Sequence, residues 1–225
     1  MGTITIEKAN ALFWLGRYIE RVYTTTSYYA QLFDIMLDGD KEIYHDYCKK
    51  LDIEDYYFND AHFMMNYLHD VNNPDSIYSN LLRAYDNAIV LRDEITTPVL
   101  SYIQMNMNTS ESMESSEAPI LLLQNVQDYI LSFWGALEDD SRNNYQLSKN
   151  IIKLGKYVER IDLYYRLGCD EALFNATVMT LNDIYTIVSK EMNLTSTQYI
   201  IETQDSKLDI FNKLGSISNL FEVVR

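Results

Sequence analysis

Apolar residues recur along most of the chain at three- and four-residue steps, in separate runs that each predict a helix. Residues 4–37 place Leu12, Leu15, Ile19, Val22, Phe33 and Met36 on one side of a 3.6-residue period. Gly39, between Asp38 and Asp40, marks the stop. Residues 41–70, rich in Tyr and His, predict a second helical region. Asn72-Asn73-Pro74 closes it, because a proline disfavours helix at the residue before it. A third helix opens at Asp75 or Ser76 and runs through Leu82, Tyr85, Ile89, Thr96 and Val99, with Pro98 kinking or dividing it. Residues 106–117, with Ser, Thr, Asn and Glu in excess, predict an exposed loop. Leu123, Val126, Ile130, Phe133 and Leu137 make a fourth helix, ending near Glu138-Asp139-Asp140-Ser141. Leu147, Ile151, Leu154, Val158, Ile161 and Tyr165 form the regular apolar seam of a fifth, which Gly168 closes. Residues 171–192 and 208–223 predict further helical pieces, with a polar connection at 193–207. No window alternates with strand period between hairpin dipeptides. The expected fold is all-α, a single domain over residues 1–225 built as an antiparallel bundle of about six helices.

Two of these helices carry the same heptapeptide. Leu15-Gly16-Arg17-Tyr18-Ile19-Glu20-Arg21 returns as Leu154-Gly155-Lys156-Tyr157-Val158-Glu159-Arg160, identical or chemically similar at every position. Leu15, Ile19 and Val22 fall in the same register as Leu154, Val158 and Ile161. The charges Arg17, Glu20, Arg21, Lys156, Glu159 and Arg160 lie broadly across each helix from that seam. Arg17 and Glu20 are spaced to meet within one helix, whereas neighbours such as Glu20 and Arg21 point about 100° apart and must find different partners. The repeat therefore predicts pseudo-twofold packing in which Glu20 meets Arg160 and Glu159 meets Arg21. Gly16 and Gly155 would let another backbone come close. Two readings of the cluster follow: an ion-pair network that fixes helix register, or a site that grips an anionic ligand. On the third helix, Arg83 and Asn87 share a face beside Asp86. Arg92 occupies a core-like seat between Ile89 and Thr96, to be matched by Glu20 or Glu159 or to snorkel at the seam edge.

Composition narrows the function classes. A net charge of -15 argues against binding nucleic acid through its phosphates and against an anionic membrane surface. The two cysteines, Cys48 and Cys169, follow no metal or redox spacing, and no secretory leader or membrane-length apolar run is visible. A cytoplasmic location is the expectation. The glycines are scattered, so no nucleotide-binding loop is indicated, and no Ser or Cys lies in a nucleophile motif. Glu42-Ile43-Tyr44-His45 has the Glu-x-x-His spacing of di-iron bundles without a second copy, and His62 and His69 share a face nearby. No catalytic residue, metal or cofactor is assigned.

The stretch Phe13-Trp14-Leu15-Gly16-Arg17-Tyr18-Ile19-Glu20-Arg21 resembles the opening motif of the bacterial alpha-E proteins, an all-helical family named for its Glu-Arg motif. Residues 154–160 resemble its second Glu-Arg motif, and Asn87-Ala88 through Arg92-Asp93 its central segment. Tyr102 and Lys149 stand near places where members often carry Trp. The resemblance implies association with circularly permuted ATP-grasp ligase-like proteins and transglutaminase-like cysteine proteases. From it follows an expected role: a non-catalytic helical partner of an ATP-grasp-like ligase, or of its peptide substrate, in peptide synthesis or modification. The alternative is an enzyme or small-ligand binder that holds an anionic substrate on the same Arg/Glu cluster.

Overall fold

The computed structural model describes residues 4–113, 119–139, 145–194, 199–202 and 205–221, and among these the chain is helical with no strand. Among the described residues nine helices follow in order: α1 (Ile6–Leu37), α2 (Ile43–Leu51), α3 (Asp60–His69), α4 (Ile77–Val90), α5 (Thr97–Met113), α6 (Pro119–Asp139), α7 (Gln146–Leu167), α8 (Glu171–Glu191) and α9 (Lys207–Asn219). The excess over six has local causes. The Tyr- and His-rich region is two short helices, because α2 ends at Asp52 in the left-handed conformation. Its successor α3 opens at Asn59, whose side chain accepts from the His62 amide. Ser76 caps α4 by accepting from the Ser79 amide. Pro98 divides rather than kinks: α5 begins one residue before it, and Thr96 accepts from the Val99 amide. A proline in a first turn removes an N–H that had no helical partner.

Residues 106–113, expected as part of an exposed loop, continue α5 instead; residues 114–117 lie outside the described residues. Asn106, Met107, Ser110 and Met113 are buried on one face of α5. Two of those four are polar, so apolar periodicity alone misses the stripe. On the outer face Gln104 donates to Asn108 at 2.9 Å, and Ser112 donates to the Asn108 carbonyl at 2.8 Å, so these polar side chains bond within the helix.

α1 runs through the middle of the molecule and packs against α7, α4 and α6; α7 in turn carries α8, α2 and α9. One buried apolar cluster spans from Ala9 to Phe221. In the central pair Gly16 lies beside Ile152, Gly155 beside Phe13, and Arg160 bonds Glu20. Residue numbers thus rise together along both helices, so α1 and α7 run parallel. A parallel pair requires a long return, and α2 to α6 supply it. The pseudo-twofold axis lies along the pair, which brings equivalent positions of the two heptapeptides face to face.

Candidate functional site: the Glu-Arg cluster between the repeated helices

Two glycines set the distance between the parallel helices. A Cβ on Gly16 would drive into the carbonyl oxygen of Ile152 and lie 3.0 Å from the Lys156 nitrogen. A Cβ on Gly155 would meet the Phe13 carbonyl oxygen in the same way and lie 3.2 Å from the Arg17 nitrogen. Ile152 and Phe13 are equivalent positions of the repeat, so each helix presses its backbone into the other's glycine. This close approach buries the two glutamates, with Glu20 at 0% exposure and Glu159 at 1%.

A carboxylate at that depth is strongly destabilising unless cations and hydrogen bonds compensate it. Both find them across the interface. Arg21 Nε donates to Glu159 Oε1 at 2.5 Å, and Arg17 Nε to Glu159 Oε2 at 2.6 Å. Arg160 grips Glu20 with both edges of its fork, Nε to Oε1 at 2.5 Å and Nη2 to Oε2 at 3.0 Å. Thr24 adds a hydroxyl to Glu20 at 3.3 Å. The two crossed pairs expected from the repeat, Glu20 with Arg160 and Glu159 with Arg21, are therefore present. Arg17 does not turn back to Glu20 within its own helix; it crosses to Glu159. Its Nη1 also donates to Ser218 of α9 at 3.3 Å, and its guanidinium lies 4.7 Å from the Trp14 ring.

The electrostatics differ between the halves. Burial pushes the Glu20 carboxyl above the usual range, and Arg160 offsets only part of it. Burial acts the same way on Glu159, but Arg17 and Arg21 together outweigh it and hold that carboxyl below its usual value. Glu159 also holds the Arg21 guanidinium well above its ordinary range. Lys156, the counterpart of Arg17, reaches Glu20 only through space. Its ammonium sits 3.9 Å over the ring of Trp134, and burial brings its pKa down to about 8.

The remaining candidates are elsewhere. Arg83 and Asn87 line an open groove of about 370 Å³ on the outside of α1 and α4, together with Trp14, Tyr18 and Asn10. Arg83 donates to the Pro74 carbonyl at 2.7 Å and lies 5.9 Å from the Tyr18 ring, whose other neighbour is Trp14 at 5.4 Å. Arg92 is exposed in the turn after α4 and meets neither glutamate, a correction of its core-like reading. The helix ends at Val90, so the heptad that placed Arg92 inward does not continue. His45 presents Nε2 to Glu42 at 2.8 Å and Nδ1 to Asp55 at 2.5 Å, and the hydrogen bond to Asp55 above all raises its pKa. Sequence reasoning missed Trp134 under Lys156 and Tyr18 between Trp14 and Arg83. The i,i+4 spacing of Trp14 and Tyr18 was the one local signal for the latter.

What the cluster can do chemically follows from this pairing. Glu159 and Glu20 are enclosed and spent on guanidinium groups, so neither is placed to take a proton from a substrate. Arg83, Asn87 and the rings beside them face an open groove instead. A family model described as Alpha-E, a predicted alpha-helical domain with a conserved ER motif, matches residues 7–194. No curated protein and no solved structure matches the chain.

Proposed function

The chain belongs to the Alpha-E family, and from that premise we propose that it is a non-catalytic helical partner of an ATP-grasp-like ligase in a bacterial system for peptide synthesis or modification. One observation carries the non-catalytic half of this reading: both buried glutamates of the Glu-Arg motif are consumed by arginines of the opposite repeat. The motif's work is then to lock α1 against α7, and recognition falls to the surface that this lock positions. The Trp14–Tyr18–Arg83–Asn87 groove supports the partner half, because two neighbouring aromatic rings beside an arginine suit a protein or peptide segment.

The test is calorimetric titration of the chain into an ATP-grasp-like ligase encoded beside it, repeated with Trp14→Ala and Arg83→Ala. Saturable binding that both variants weaken by tenfold or more, with unchanged melting curves, is the expected result. No binding to the ligase by the unaltered chain overturns the proposal.

A further inference from the structure

A second recess lies on the other side of the cluster, where α1, α3 and α7 meet the turn after α2. It encloses about 220 Å³, partly shielded from solvent. Its walls combine opposite charges. Arg21 and Arg166 line it, and so do Asp52, Asp75 and Asp162. Each arginine is anchored through Nε: Arg21 to Glu159 at 2.5 Å, and Arg166 to Asp162 at 2.9 Å. Arg21 Nη1 lies 3.8 Å from Asp75, an opposite charge of the lining, too far for a direct hydrogen bond. Tyr67 and Thr25 also line it.

Tyr67 is 1% exposed and accepts a hydrogen bond from Tyr47 at 2.9 Å. Burial pushes its pKa to about 12, so at neutral pH it keeps its proton and can donate. The recess thus offers rigid donors for a carboxylate and several carboxylates for an ammonium, within a volume suited to a molecule of amino-acid size. An anion alone would face three aspartates, and a cation alone two guanidinium groups. A ligand carrying both charges close together matches both.

We infer that this recess binds a small zwitterion, a free α-amino acid or a dipeptide, with its carboxylate toward Arg21, Arg166 and Tyr67 and its ammonium toward Asp52 and Asp75. This goes beyond the partner reading, because it concerns a different face of the chain and stands or falls without the ligase.

The test titrates the chain calorimetrically with L-alanine and L-alanyl-L-alanine, then with N-acetyl-L-alanine and L-alaninamide, each lacking one charge. Saturable binding of alanine or of the dipeptide is expected, and whichever binds more tightly identifies the class. Both blocked forms should bind at least roughly tenfold more weakly, because each forfeits a charge-assisted contact. Equal affinity for either blocked form overturns the zwitterion assignment, and so does failure of all four probes to bind. Arg166→Gln and Asp75→Asn locate the site. Both should melt like the unaltered chain and lose binding, while affinity retained in both folded variants overturns the placement. Ligase titration of the same variants keeps the two proposals apart, since neither touches the Trp14 groove.

Discussion

Glu20 and Glu159 occupy equivalent seats, equally deep, each opposite the arginine that ends the other heptapeptide. Glu159 receives two guanidinium groups and Glu20 one. The difference traces to a single position of the repeat, Arg17 in α1 and Lys156 in α7. An arginine can lie along Trp14 and still project Nε onto a carboxylate, because its planar fork donates from the side as well as from the tip. A lysine has one charged end, and Lys156 commits it to the face of Trp134. The chain therefore holds one fully compensated buried carboxylate and one whose burial exceeds its compensation. The comparison teaches that the Arg-for-Lys exchange, conservative on paper, decides how a buried charge is carried.

That contrast can be broken or sharpened in graded steps. The largest effect should come from Gly16→Ala or Gly155→Ala. The added methyl meets backbone that cannot retreat without parting the helices, so the loss should exceed the ~3 kcal/mol common for overpacking. Circular dichroism melts would reveal the absence of a cooperative transition. Next, Glu159→Gln leaves Arg17 and Arg21 without their anion and should cost about 3 kcal/mol in denaturant unfolding at neutral pH. Glu20→Gln orphans only Arg160 and relieves a carboxyl that burial already disfavours as an anion. Its cost should be smaller, about 1 to 2 kcal/mol. A cost equal to that of Glu159→Gln would refute the asymmetry.

The two carboxylates should also respond to pH in opposite senses. Glu159, with its folded pKa below the unfolded one, contributes stability that is present above pH about 4.5 and is lost as pH falls through its folded value. Glu20, with its folded pKa raised, contributes stability that is present below that point and is lost as pH rises through its folded value. Thermal melts across the acid range should show Glu159→Gln removing the loss at low pH and Glu20→Gln removing the loss at higher pH. The smallest effect belongs to Lys156→Arg, which restores the missing fork. It should gain less than about 1 kcal/mol and bring the Glu20 carboxyl down toward Glu159. A proton titration followed by carbon-13 shifts of the two carboxyl groups would detect it.

The legible parts of the fold were those where apolar spacing and backbone punctuation agree. Gly168 is left-handed at the end of α7 as its position suggested, and Ser76 caps α4. The stripe of α5 escaped because Asn106 and Ser110 are polar residues in a core. The break between α2 and α3 escaped because Asp52 took a left-handed turn without glycine. In the cluster, the repeat itself foretold the crossed pairs, since adjacent charges on a helix must look to different neighbours. The depth of the glutamates and the route of Arg17 depended on how closely the backbones meet. That distance is a property of two helices together, and no single heptapeptide contains it.

The parallel pairing of α1 and α7 also bears on how the chain acquires its structure. The bond between Arg160 and Glu20 joins residues 140 positions apart. Until α7 has left the ribosome, α1 has Gly16 and Glu20 without the surface that encloses them. A chain growing at roughly 5–20 residues per second spends on the order of 10 seconds or more in that state. The central contact thus forms only after α2 to α6 have been made, a long-range closure that slows folding for an all-helical protein.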